Sequence, residues 1–113
     1  MSDEYEAQRK RILEIIQHDH VKQFCVGIST NAARRRTAYG GWLRRNGAQL
    51  DGFEVVASGL TVESGLQMER TLFEHFRSHR KYANYENVRY FPQAANNGKP
   101  QSVYIAWWSP AFL

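Results

Sequence analysis

Several common protein classes are made improbable by what this chain lacks. It has a single cysteine, Cys25, so no disulfide can close within it, and the cytoplasm is the expected compartment. It has only three prolines and no repeat, low-complexity tract or credible linker, which argues against a string of modules. No apolar run approaches the roughly 20 residues that span a bilayer as a helix, so no membrane role is expected. The opening Met1-Ser2-Asp3-Glu4 is acidic, without the basic-then-apolar layout of a secretory leader. Negative charge is also missing locally. From Val21 to Leu50 there is no Asp or Glu, while Lys22, Arg34, Arg35, Arg36, Arg44 and Arg45 all fall there.

What is present fits one domain covering residues 1–113. Hydrophobic residues make up 42% and aromatics 13%, enough for a packed core in a chain of 113 residues. The net charge is +4, and its concentration in one block sets up a positive potential that favours phosphates. A solvated basic face with no partner would give the same count.

The pattern predicts a helix over 3 to about 17, capped by Ser2 or Asp3 and carrying Ile12, Leu13, Ile15 and Ile16. Gln17-His18-Asp19-His20 reads as a turn. Val21 to Ser29 reads as a strand with Phe24, Val26 and Ile28 on one face. Ser29, Thr30 and Asn31 are all good caps for a helix starting at Ala32. Gly40-Gly41 weakens that helix and is a candidate end, with Trp42 to Arg45 as another turn before Asn46-Gly47. A second strand is expected over Phe53 to Ala57. A helix capped by Thr61 or Ser64 is expected to run to about His79, and a loop from Lys81 to Pro100. The third strand covers Ser102 to Trp108, with Val103, Ile105 and Trp107 opposite Tyr104, Ala106 and Trp108. The expected fold is α+β: a small, about three-stranded, mostly antiparallel sheet flanked by about three helices. Residues 1–20 would be a helical extension, 21–90 the core and 101–110 the last strand.

Two places could carry chemistry. In the helix after Ser64, Leu66, Leu72, Phe73 and Phe76 share one side and Glu69 falls among them. An ionised carboxylate on such a stripe needs a metal ion, an arginine or a shifted pKa to compensate it, unless it sits at the stripe's edge and reaches water. In the helix after Asn31, Arg35 and Tyr39 are four residues apart and project from one face. A guanidinium matches phosphate oxygens with a planar fork of donors. A phenol beside a cation can take a proton from water. The plainer alternative is an arginine-rich surface helix with Tyr39 packed on the sheet.

The stretch Cys25-Val26-Gly27-Ile28-Ser29-Thr30-Asn31-Ala32-Ala33-Arg34-Arg35-Arg36 resembles the second half of the GIY-YIG nuclease signature, a strand, a turn and a helix bearing an essential arginine. Arg35 lies eight residues after Gly27, and Tyr39 four further on, where the family carries a Tyr or His as base. Val62-Glu63-Ser64-Gly65-Leu66-Gln67-Met68-Glu69 resembles the family helix that supplies a metal-binding glutamate. Asn84, fifteen residues beyond, falls near the family's asparagine, with Asn87 as the other candidate. The resemblance spans about Phe24 to Asn87. Cys25 stands where the family's second tripeptide begins with Tyr, and the upstream GIY tripeptide is not visible. Ser102-Val103-Tyr104 resembles a displaced GIY strand. If that strand pairs beside Val21–Ser29, Tyr104 can supply the lost phenol.

The resemblance implies an endonuclease hydrolysing phosphodiester bonds with one Mg²⁺ or Mn²⁺ ion. Glu69 would hold the metal, Tyr39 would activate water and Arg35 would stabilise the scissile phosphate. Arg34, Arg36, Arg44, Arg45 and Asn84 would seat nucleic acid, DNA ahead of RNA. Small stand-alone versions of such folds are often found on mobile elements or phages. The alternative is an inert module that binds nucleic acid or inhibits a nucleic-acid-handling protein partner; a homodimer is also open. Outside this set, His18 and His20 flanking Asp19 are metal candidates that read better as turn residues. Cys25 is a candidate nucleophile or a plain buried apolar residue. Trp107 and Trp108 are either base-stacking platforms or core.

Overall fold

The computed structural model describes residues 5–83 and 98–112. Six elements follow in order: α1 (Glu6–Ile16), β1 (Gln23–Ser29), α2 (Ala32–Arg45), β2 (Gln49–Leu60), α3 (Val62–Phe76) and β3 (Gln101–Ser109). The three strands form one sheet in the order β1-β3-β2, with both pairings antiparallel. The last strand in sequence is therefore the central one. Its register on β1 sets Tyr104 opposite Gly27 and Ile28 opposite Val103.

Local chemistry explains most of the element boundaries. Asn31 caps α2 by accepting from the Arg34 backbone N–H at 3.1 Å, and Thr61 caps α3 by accepting from that of Ser64 at 3.0 Å. The helix α1 starts at Glu6 with Tyr5 before it in the left-handed region at φ 61°, and the expected caps Ser2 and Asp3 lie outside the described residues. Its last turn carries no basic residue of its own. Lys81 compensates from far along the chain, its ammonium donating to the carbonyls of Ile16 (2.6 Å) and His18 (3.0 Å) at the helix's negative end.

Gly40-Gly41 does not end α2, which runs on to Arg45. The reason is tertiary: Trp42 and Leu43, expected in a turn, are buried against the sheet, and packing of this kind outweighs poor local propensity. The helix stops instead at Asn46, whose side chain donates to the Trp42 carbonyl at 2.8 Å, followed by Gly47 at φ 78°. The strand β2 is longer than expected because it pairs with β3 from Gln49 to Leu60, absorbing three register shifts.

The sheet separates two cores. On one face, Ile12, Ile15 and Ile16 of α1 and Met68, Leu72 and Phe76 of α3 pack on Phe24, Val26, Ile28, Val103 and Ile105. Burying each such side chain contributes roughly 1.5–3 kcal/mol. On the other face, Tyr39, Trp42 and Leu43 of α2 pack on Cys25, Tyr104, Ala106 and Trp108. Gly65 lets α3 approach closely, since a Cβ there would lie 2.7 Å from the Ile28 side chain. The apolar stripe of α3 is thus centred on Gly65, Met68, Leu72 and Phe76, while Leu66 is exposed. Glu69 lies at the stripe's margin, partly exposed, and not in its middle.

Candidate functional site

A row of polar side chains crosses the aromatic face. Gly27 makes it possible: a Cβ there would lie 2.3 Å from the Tyr104 hydroxyl oxygen, so the bare strand is what lets the Tyr104 ring lie across β1. Phe53 of β2 stacks on the same ring, with centroids 4.6 Å apart and planes at 22°. The Tyr104 hydroxyl is thereby aimed at α2. There Arg35 Nη1 donates to it at 3.1 Å and to the Ile28 carbonyl at 3.2 Å.

The row continues inward. The hydroxyls of Tyr104 and Tyr39 are 3.2 Å apart, and the Tyr39 hydroxyl is 3.1 Å from Cys25 Sγ. A guanidinium only donates, so the Tyr104 oxygen accepts from Arg35, while in the Tyr104–Tyr39 and Tyr39–Cys25 contacts either group can be the donor. Tyr39 and Tyr104 are each 1% exposed and Cys25 is fully buried, while Arg35 is partly exposed. Arg35 is therefore the member of the row that solvent or a ligand reaches. Burial raises the Tyr104 phenol above its usual value; the neighbouring thiol of Cys25 adds to this, and Arg35 and Tyr39 oppose it only in part. Tyr104 therefore stays protonated at neutral pH.

A second group flanks the outer edge of β1. Residues 81–83 run beside that edge, with the Phe24 N–H donating to the Lys81 carbonyl at 3.0 Å and the Ala83 N–H to the Phe24 carbonyl at 2.8 Å. This places the Tyr82 hydroxyl to accept from the Val26 N–H at 3.1 Å. Burial drives the Tyr82 phenol up, with Cys25, Glu69 and Tyr104 adding to the shift against the Val26 N–H. The Glu69 carboxylate is thus within electrostatic reach of Tyr82, which also feels the thiol and phenol of the inner row. Nothing in the sequence marked Tyr82 beyond its being an aromatic in a polar stretch.

Four expected residues, Arg35, Tyr39, Tyr104 and Cys25, come together directly. Cys25 is buried and hydrogen-bonded to Tyr39, so no substrate reaches it as a nucleophile. Glu69 relates to the group only through Tyr82. Arg34, Arg36, Arg44 and Arg45 are exposed on α2, and Arg36 and Arg44 share an open cleft with Thr37, Gly40, Gln49 and Leu50. Asn84 and Asn87 lie outside the described residues. His18 and His20 are exposed and stack on each other at 5.4 Å in the turn after α1. Among the described residues there is no group of three or more His, Cys, Asp or Glu arranged to hold a metal ion. Trp108 is core, its indole N–H donating to Gln23 at 2.9 Å, and Trp107 covers Gly52. No helix among the described residues is long and apolar enough to cross a membrane. No protein-family model, curated protein or solved structure matches the chain.

Proposed function

We propose that the chain is a GIY-YIG-type endonuclease domain in which the last strand supplies the phenol that the family's first tripeptide would otherwise bring. The observation that carries this reading is the 3.1 Å hydrogen bond from Arg35 to Tyr104, made over Gly27. Arg35 binds the scissile phosphate and stabilises the charge that develops on it. Tyr39 is the base, and its burial requires it to act through Tyr104. The Tyr104 hydroxyl, 3.2 Å from that of Tyr39, is the group through which Tyr39 would meet the attacking water. Arg34, Arg36, Arg44 and Arg45 attract the backbone of the nucleic acid.

The family implies a divalent ion at Glu69. A single carboxylate suits Mg²⁺ or Mn²⁺ held largely by water and substrate phosphate, and does not suit a caged all-protein site. Glu69 would hold the ion, whose contribution when bound is to lower the pKa of water and neutralise phosphate charge.

One observation favours a second reading. Both phenols are 1% exposed, and burial keeps Tyr104 protonated, which suits a module that holds phosphate at Arg35 without cutting. Incubating the protein with supercoiled plasmid and with single-stranded DNA and RNA, in Mg²⁺, in Mn²⁺ and in chelator, separates the two. Metal-dependent nicking that disappears in Arg35→Ala and in Glu69→Ala supports the nuclease. Salt-sensitive retention without cutting supports the binding module. Full activity in Glu69→Ala would remove the metal assignment.

A further inference from the structure

The cleft between α2 and the start of β2 lies apart from the row at Arg35. Its walls are Arg36, Thr37, Gly40, Arg44, Gln49 and Leu50, around a volume of about 400 Å³. Arg36, Gly40 and Arg44 succeed one another at intervals of four, so they form a single row along the helix, one position round from the row of Arg35 and Tyr39. Eight residues put the two arginines on the order of 12 Å apart along the axis. Between them Gly40 brings no side chain, and the end of the Arg44 side chain reaches back towards it.

Gly40 has no internal reason to be glycine. Its φ is not in the left-handed region, and a Cβ would meet only the end of the Arg44 side chain, at 3.5 Å. The same holds for Gly41, where the nearest atom is the end of Arg45 at 3.4 Å. Glycine weakens a helix interior, so two in succession where alanine would fit call for a reason outside the chain. The charges lead the same way. Neither Arg36 nor Arg44 is paired with a carboxylate among the described residues, and Arg36 follows Arg34 and Arg35 near the positive end of a helix with no acid in its first turn. No acid lines the cleft among the described residues, and Asp51, next to Leu50, accepts from the Gln49 amide at 3.1 Å.

We infer that this cleft seats the phosphodiester backbone of a nucleic-acid strand, with Arg36 and Arg44 each taking a phosphate and Gly40 letting the strand lie against the helix. The inference rests on the proposed function for its ligand class and narrows it: of the four exposed arginines on α2, Arg36 and Arg44 set the track, and the strand leaves Arg35 along that row.

Binding is measured in chelator, by fluorescence anisotropy of a labelled single-stranded oligonucleotide and its duplex, across a salt series. Each phosphate that the protein no longer neutralises lowers the slope of log affinity against log salt by roughly 0.7 for a single strand and 0.9 for a duplex. The double variant Arg36→Gln/Arg44→Gln is expected to lower the slope by about twice that, while Arg70→Gln, an exposed arginine on α3 across the sheet, leaves it unchanged. Gly40→Leu is expected to weaken binding without changing the number of cations. Thermal melting checks that each variant folds. Equal slopes for the double variant and Arg70→Gln would overturn the cleft assignment while leaving the nuclease reading untouched. Cleft-dependent binding by a protein that never cuts would do the reverse, and a wild-type protein that retains neither oligonucleotide would remove both.

Discussion

The two faces of the sheet are built from different chemistry. Beneath α1 and α3 the sheet presents Phe24, Val26, Ile28, Val103 and Ile105, an apolar surface with buried Gln101 beside it at Gly65. Beneath α2, one residue along in each strand, it presents Cys25, Gly27, Tyr104 and Trp108, of which the cysteine, tyrosine and tryptophan are hydrogen-bonded. The first face tolerates any apolar set of the right volume. The second has a direction: a glycine makes room for a phenol, the phenol receives an arginine, and the arginine reaches solvent. The first face is aliphatic packing beneath two helices, and the second joins a buried aromatic core to a guanidinium that solvent reaches.

That contrast can be broken most forcefully on the aliphatic face. Leu72 is fully buried there, and Leu72→Ala should destabilise the fold by about 2–5 kcal/mol in denaturant titration while leaving the cutting rate per folded molecule unchanged. On the other face, Arg35→Ala should lower that rate by about 10²–10³ with little change in melting temperature. Lys at this position should not restore activity, because an ammonium lacks the planar fork. Gly27→Ala tests the coupling of the two properties. Its Cβ would fall on the Tyr104 hydroxyl, so the ring must shift; a destabilisation of about 1–3 kcal/mol is expected, together with loss of cutting. Gly40→Ala should go the other way, stabilising the protein by about 0.8–1 kcal/mol through helix propensity while weakening nucleic-acid binding.

The smallest expected effect is one of pH. The His79 imidazole is held below its ordinary value, first by burial and then by the charges of Arg80 and Lys81. Its Nδ1 accepts from the Lys81 N–H at 3.1 Å, which only the neutral ring can do. A depressed folded pKa contributes stability above the unfolded value of about 6.5 and loses it as pH falls through the folded value. Melting temperature should therefore decline on acidification below about 6.5, and His79→Gln should flatten the decline over that range.

Much of this arrangement was legible residue by residue. The Asn31 and Thr61 caps, the alternation of Val103, Ile105 and Trp107 against Tyr104, Ala106 and Trp108, and the shared helix face of Arg35 and Tyr39 are all local patterns, and local chemistry specifies them. What was not legible depended on long-range packing. Gly40-Gly41 reads as a helix end until Trp42 and Leu43 are seen to be anchored on the sheet. The stripe of α3 reads as centred near Glu69 until Gly65 and Met68 are seen to face Ile28 and its neighbours, which turns Glu69 to the margin. Tyr82 carries no signal at all, because its role comes from residues 81–83 running beside β1, a pairing between segments more than fifty residues apart. That Tyr104 meets Arg35 also required the pairing of β3 with β1, which the alternation of the strand permitted but did not specify.

The most direct test follows the Arg35 side chain itself. In a ¹⁵N-labelled protein held in chelator, the Nε–H signal of Arg35 is recorded while a short oligonucleotide is added. A phosphate seated beside Tyr104 should shift that signal saturably, in step with the backbone signals of Gly27 and of α2, while those of Leu72 and Phe76 stay still. A titration that saturates elsewhere with the Arg35 signal unmoved would contradict the account.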